Sequence, residues 1–196
     1  MTSKVELVIF ITMKLNCIKI VFSFFLLTIL ACGSSKNTAT QAEIDHLNTL
    51  IKQKTFRIEN DWAYPTASLA MQQASQLLPP GNSGNAVNLI GNSNFLAIEG
   101  DSITSYLPYF GERQMGGGYS NDDGAIQFKG TMKDYKVTPN KNSGYDISFE
   151  ANSHSENFSV NLIIFPSLKS EIILTGSKRT LIKYSGRIVP QTDKAE

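Results

Sequence analysis

The sequence predicts an all-β fold: an antiparallel meander closed as a barrel or folded as a sandwich, with one N-terminal α-helix packed outside. Three observations carry the prediction. Across residues 55–190 apolar side chains recur with a period of two, in runs of strand length. Each run is followed within a few residues by turn-forming Gly, Pro, Asn, Asp or Ser, and connections that short join antiparallel neighbours. Beyond residue 40, a stripe at helical spacing over several turns occurs only in residues 41–54, ahead of the strands. Periodicity does not choose between barrel and sandwich, and the choice bears on function because a barrel can enclose a ligand.

The chain begins with an address. Residues 1–31 read as a signal peptide: Met13 to Lys19 is a short basic region, and Ile20 to Leu30 is an apolar run of eleven residues, too short to span a bilayer. Glu6 and the apolar patch Val5 to Ile11 lie upstream of that basic region and do not suit a leader, so Met13 is the expected start. Taken as one piece, Val5 to Leu30 would be a membrane anchor, but Lys14, Asn16 and Lys19 in its centre would each be costly there. The leader ends Ala31-Cys32-Gly33, which resembles a bacterial lipobox: a small residue before the scissile bond, then a thiol that receives diacylglycerol with acyl chains such as palmitate. Residues 32–40, the lipidated Cys32 and a polar tether, would hold the domain to a membrane. No aspartate stands beside Cys32 and no acidic cluster follows it, so the outer membrane and its periplasmic face are the expected location.

Thr40-Gln41-Ala42-Glu43 fits a capping box, and Ile44, Leu47, Leu50 and Ile51 then form a single apolar stripe, giving a helix over 41–54. His46 lies off that stripe and reads as a surface residue. From Thr55 the period becomes two, with Phe56, Ile58 and Trp62 on one face and Arg57, Glu59 and Asp61 on the other. Tyr64-Pro65 ends this strand. Ser68 to Leu78 suits a short helix, and Pro79 to Gly84 forces a loop. Nine further strands are expected: Val87–Ile90, Phe95–Glu99, Ser102–Leu107, Ala125–Lys129, Thr131–Val137, Tyr145–Ala151, Asn157–Phe165, Glu171–Thr175 and Thr180–Ile188. Gly100-Asp101 suits a two-residue II′ hairpin. Residues 191–196 form a polar tail.

Composition excludes several functions. Eighteen Lys and Arg balance 17 Asp and Glu without a basic cluster, so no nucleic-acid partner is expected. The two cysteines, Cys17 and Cys32, both fall in the N-terminal region, which leaves the folded domain without a disulfide or thiolate metal site. Outside the leader the only histidines are His46 and His154; a triad could be built only on one of them, and His154 reads instead as part of the polar hairpin tip Asn152 to Glu156, while no three or four ligands stand at zinc-site spacing, so no catalytic residue, metal or cofactor is expected.

What remains is an aromatic segment. Tyr106, Tyr109, Phe110, Arg113 and Tyr119, with Met115, surround the glycines Gly116 to Gly118, and such a set can offer a large contact surface to a sugar, a lipid or a peptide. The plainer alternative is that Tyr106 or Phe110 caps an open end of the barrel. Glu112, Asp122 and Asp123 flank the segment and could serve as an acid/base pair, although Asn121-Asp122-Asp123-Gly124 is also what a turn requires.

The order Trp62-Ala63-Tyr64-Pro65, Gly100-Asp101-Ser102, Leu107-Pro108-Tyr109-Phe110-Gly111, a glycine-rich loop, Ile126-Gln127-Phe128-Lys129-Gly130 and Tyr184-Ser185-Gly186 resembles domain-of-unknown-function family 4251. The resemblance implies a secreted or lipid-anchored envelope protein of Bacteroidota and brings no activity with it. The expectation is therefore an outer-membrane lipoprotein that binds a small apolar or glycan ligand or an envelope protein. A cofactor-free glycan hydrolase acting through Glu112, Asp122 or Asp123, and a purely structural envelope protein, are the alternatives.

Overall fold

The computed structural model describes residues 39–66, 73, 77, 81–112, 124–153 and 156–190. The chain divides into two units at Thr38/Ala39, and the first of them, with the leader, Cys32 and most of the tether, lies outside the described residues. So do the 191–196 tail and, apart from Gln73 and the exposed Leu77, the short helix expected between Ser68 and Leu78.

Helix α1 (Gln41–Gln53) starts and stops where its chemistry dictates. Thr40 N–H donates to the Glu43 carboxylate at 2.8 Å and the Glu43 N–H donates to Thr40 Oγ1 at 3.3 Å, which satisfies two otherwise unpaired amides. These bonds hold the Glu43 carboxyl below its ordinary range, the backbone one most strongly. Lys54 ends the helix in the left-handed conformation, φ 49°. Leu47 and Ile51 are buried and His46 is exposed.

Ten strands follow: β1 (Thr55–Pro65), β2 (Val87–Asn88), β3 (Phe95–Glu99), β4 (Ser102–Leu107), β5 (Ile126–Thr131), β6 (Lys133–Pro139), β7 (Tyr145–Asn152), β8 (Asn157–Ile164), β9 (Lys169–Gly176) and β10 (Ile182–Val189). They form one antiparallel sheet in the order β5-β4-β3-β1-β10-β9-β8-β7-β6, with β2 beside β1. Gly100, φ 64°, makes the β3–β4 turn that pairs Glu99 with Ser102. The strand expected over Val87–Ile90 is shorter than its pattern suggested, since Ile90 sits in a turn, two-thirds exposed.

The sheet is a nearly closed barrel, which decides against the sandwich. Its two terminal strands, β5 and β6, are separated in sequence by Met132 alone. The chain from Ile126 to Pro139 is thus a bent run whose first part pairs with β4 and whose second part pairs with β7. Phe128 of β5 and Phe158 of β8 meet across the join with ring centroids 5.5 Å apart. Strand β6 carries features that disfavour edge pairing: Lys133, Lys136, Pro139 and a kink at Asp134, φ 52°.

Alternation puts one face of each strand inside. Ile147, Phe149 and Ala151 of β7, and Phe158, Val160, Leu162 and Ile164 of β8, are all buried and belong to one core with Phe56, Ile58, Leu96, Ile98 and Tyr184. Each large apolar side chain so buried stabilises the fold by roughly 1.5–3 kcal/mol. In β1 the expected pattern fails half-way. Phe56 and Ile58 are buried, but Trp62 is only half-buried and Ala63 takes its place in the core. The cause is a β-bulge: Asn60 pairs with Gly186 and Trp62 with Ser185, so Asp61 is an extra residue and the faces exchange. Asn94 holds the bulge, accepting from the Asn60 N–H at 2.8 Å and donating to the Asn60 carbonyl at 2.9 Å.

Helix α1 serves one rim of the barrel. Its Leu47 and Ile51 join the core, Tyr145 donates to Asn48 at 2.7 Å, and Lys54 pairs with Asp101 at 2.9 Å while lying 4.7 Å over the Tyr135 ring.

Candidate functional site

The opposite rim is closed by the segment Leu107–Glu112. Tyr184, fully buried in β10, donates from its hydroxyl to the Pro108 carbonyl at 2.9 Å. Tyr109 reaches the β9–β10 turn: its hydroxyl lies 2.9 Å from Thr180 Oγ1 and 2.8 Å from the Glu112 carbonyl, to which the Thr180 N–H also donates at 3.1 Å. Phe110 packs against the core. The Arg179 guanidinium lies 5.1 Å from the Tyr109 ring centroid and pairs with Glu156 at 3.0 Å, both charged groups being nearly buried. Glu156 also accepts from the Lys178 N–H at 2.9 Å, and Arg179 donates to the Gly124 carbonyl at 3.1 Å. The network ties together both sides of the 113–123 segment and the β7–β8 and β9–β10 turns. Burial pushes the Tyr109 phenol above its usual range and the Tyr184 phenol much further.

A second arrangement lies on the outer face beside the barrel's join. A groove of about 540 Å³ is lined by Phe95, Tyr106, Gln127, Lys129 and Asn152, with Ser93, Thr104, Ser105, Phe128 and Ser153 completing it. Phe95, Tyr106 and Gln127 are direct cross-strand partners on β3, β4 and β5, so the pleat aligns them in one row. Arg57 stacks on Phe95 at 3.8 Å and is held by Glu59 at 3.1 Å, which fixes the ring. With the Asn152 amide turned to donate to Ala151 and Asn157, its oxygen accepts from Lys133 Nζ at 3.3 Å. Neither Lys129 nor Lys133 forms an ion pair among the described residues.

The family model for a domain of unknown function, DUF4251, matches residues 38–188. The chain belongs to the DUF4251 family. The match takes in helix α1 as well as the strands that carry the sequence resemblance. The crystal structure of a DUF4251 family protein from Bacteroides eggerthii DSM 20697 is similar, with a TM-score of 0.52 and 14% identity over 76% of this chain and 88% of that one. At that identity the likeness speaks for the fold. No curated protein matches.

In this DUF4251 chain the structure divides the aromatic set read from the sequence. Tyr106 lines the outer groove, whereas Tyr109 and Phe110 fasten and fill the barrel's rim. Arg113 and Tyr119 lie outside the described residues, as do Asp122, Asp123, His154 and Cys32. Glu112 is exposed, and its backbone carbonyl is what joins the rim. Sequence reasoning missed Phe95, Gln127 and Lys129, whose only signal was their place on the outward faces of predicted strands. It also missed Glu156 and Arg179, which read as ordinary turn charges. Among the described residues no group of three or more His, Cys, Asp or Glu could hold a metal ion, and no helix is long and apolar enough to cross a membrane.

Proposed function

We propose that this protein is a non-catalytic binding module of the cell envelope, tethered through a lipid on Cys32 at the periplasmic face of the outer membrane, with the Phe95–Tyr106–Lys129 groove as its binding face. One observation carries the choice of surface. The barrel interior is filled by Phe56, Phe149, Phe158, Tyr184 and their apolar neighbours, and the two rims are covered by α1 and by Leu107–Glu112. The outer groove combines aromatic walls with a few polar groups and has a volume within the range of roughly 300–1,000 Å³ usual for ligand sites. The lipobox-like Ala31-Cys32-Gly33 and the polar tether support the location.

Isotope-edited NMR of the full chain against a panel of sugar, aromatic and short-peptide fragments tests the surface. Shifts concentrated at Phe95, Thr104, Tyr106, Gln127 and Lys129 are expected. Shifts concentrated at inward residues such as Phe149 and Tyr184 would place the site inside the barrel and reject the groove.

A further inference from the structure

We propose that the groove takes an anionic saccharide, an inference that rests on the binding-module reading above and names its ligand class. The walls supply apolar area: Phe95 and Tyr106 stand opposite one another in register, and Arg57 behind Phe95 keeps that ring from turning. Around them the lining is amide and hydroxyl, from Gln127, Asn152 and Thr104 among others. Such groups both donate and accept, as sugar hydroxyls do. The charge is one-sided. Among the described residues no carboxylate lines the groove, Lys129 does, and Lys133 reaches its rim through Asn152.

Another outer groove among the described residues differs in its charge. That groove, about 420 Å³, is lined by Asp61, Glu171, Lys169 and Arg187, and its Arg187 is already paired with Asp61 at 2.9 Å. Among its described lining residues the charges are mixed and Phe165 is the one ring, so it selects neither sign. In the Phe95 groove the ammonium of Lys129 has no carboxylate partner among the described residues, and an incoming anion would give it one. An apolar ligand would leave this cation facing its own surface, whereas a saccharide bearing a carboxylate or phosphate uses rings, amides and cation together.

Calorimetric titration of the full chain in detergent, with trigalacturonate, its neutral methyl ester and mannose 6-phosphate, tests the class. Trigalacturonate is expected to bind, with the ester weaker by about tenfold or more, the loss expected for one charge-assisted hydrogen bond. Lys129→Gln, at an exposed position, should weaken the acid about tenfold and the ester far less. Tyr106→Ala should abolish both. Binding of mannose 6-phosphate in place of trigalacturonate keeps the anionic class and makes phosphate its source. Equal affinity for acid and ester, or indifference to Lys129→Gln, overturns the proposal. If neither anion binds while peptide or aromatic fragments shift the groove residues, the saccharide is wrong and the binding face stands; if nothing shifts them, both fall.

Discussion

The hydroxyl of Tyr184 donates to the carbonyl of Pro108 at 2.9 Å, so a side chain rooted in the core side of β10 fastens the segment that closes the barrel's rim. Its phenol belongs to the core and its oxygen to the rim. Tyr184→Phe keeps the packing and leaves the Pro108 carbonyl unpaired, which should cost about 1–3 kcal/mol in urea unfolding of the full chain. A variant as stable as the parent would show that water replaces the bond.

The same phenol makes stability depend on alkaline pH. Burial raises the Tyr184 pKa far above the ordinary value near 10 of the unfolded chain, so the folded state keeps a proton that the unfolded state gives up. The stabilisation is whole below about pH 10 and declines above it, by about 1.4 kcal/mol per pH unit for one such group. Tyr109 and Tyr135 shift the same way through burial and steepen the fall, less strongly because both are partly exposed. Denaturant midpoints measured from neutral pH upward should decline beyond about pH 10, and more gently in Tyr184→Phe.

Glu156 and Arg179 are a nearly buried pair, with the Lys178 N–H on the carboxylate and the Gly124 carbonyl on the guanidinium. Removing one member leaves a buried charge alone, so Glu156→Ala should destabilise by about 3–5 kcal/mol. Glu156→Gln with Arg179→Met should recover a good part of that loss. A double-mutant cycle with no coupling would show that the pair contributes nothing beyond its separate contacts.

Much of the fold was legible because its determinants are local. Alternation in Tyr145 to Glu150 placed Ile147 and Phe149 inside, and Thr40 with Glu43 announced the start of α1. What was not legible depends on residues far apart in the chain. Trp62 left its expected row because Asn60 faces Gly186 across a bulge, and nothing near Trp62 announces that glycine. The choice of a barrel hangs on Met132, where one strand changes partners. The candidate site was half legible for the same reason: Tyr109 and Tyr106 stand close in sequence, but one binds Thr180 and the other faces Phe95 and Gln127.

Gly186 itself gives a sharp test of the bulge. A methyl group there would meet the Glu59 carbonyl oxygen and lie 2.6 Å from Asn60 Cα, both backbone atoms that cannot swing aside. Gly186→Ala should therefore destabilise by about 1–3 kcal/mol and shift the amide resonances of Glu59 to Trp62, while Gly130→Ala, where no atom lies within 4 Å, should change little.

Ser170 sits opposite Gly186 on β9, 2% exposed, and its hydroxyl has no hydrogen-bond partner among the described residues. A buried hydroxyl without a partner forfeits its hydration and gains nothing in return, so Ser170→Ala should stabilise the protein, by up to about 1–3 kcal/mol. Asn60, across Gly186 in the same row, also has an unpartnered side-chain oxygen. Were a water molecule to join the two, the alanine would remove one of its anchors and destabilise instead. Thermal unfolding of Ser170→Ala decides the sign: a raised midpoint means a dry row between β1 and β9, and a lowered one means a buried water held by Ser170 and Asn60.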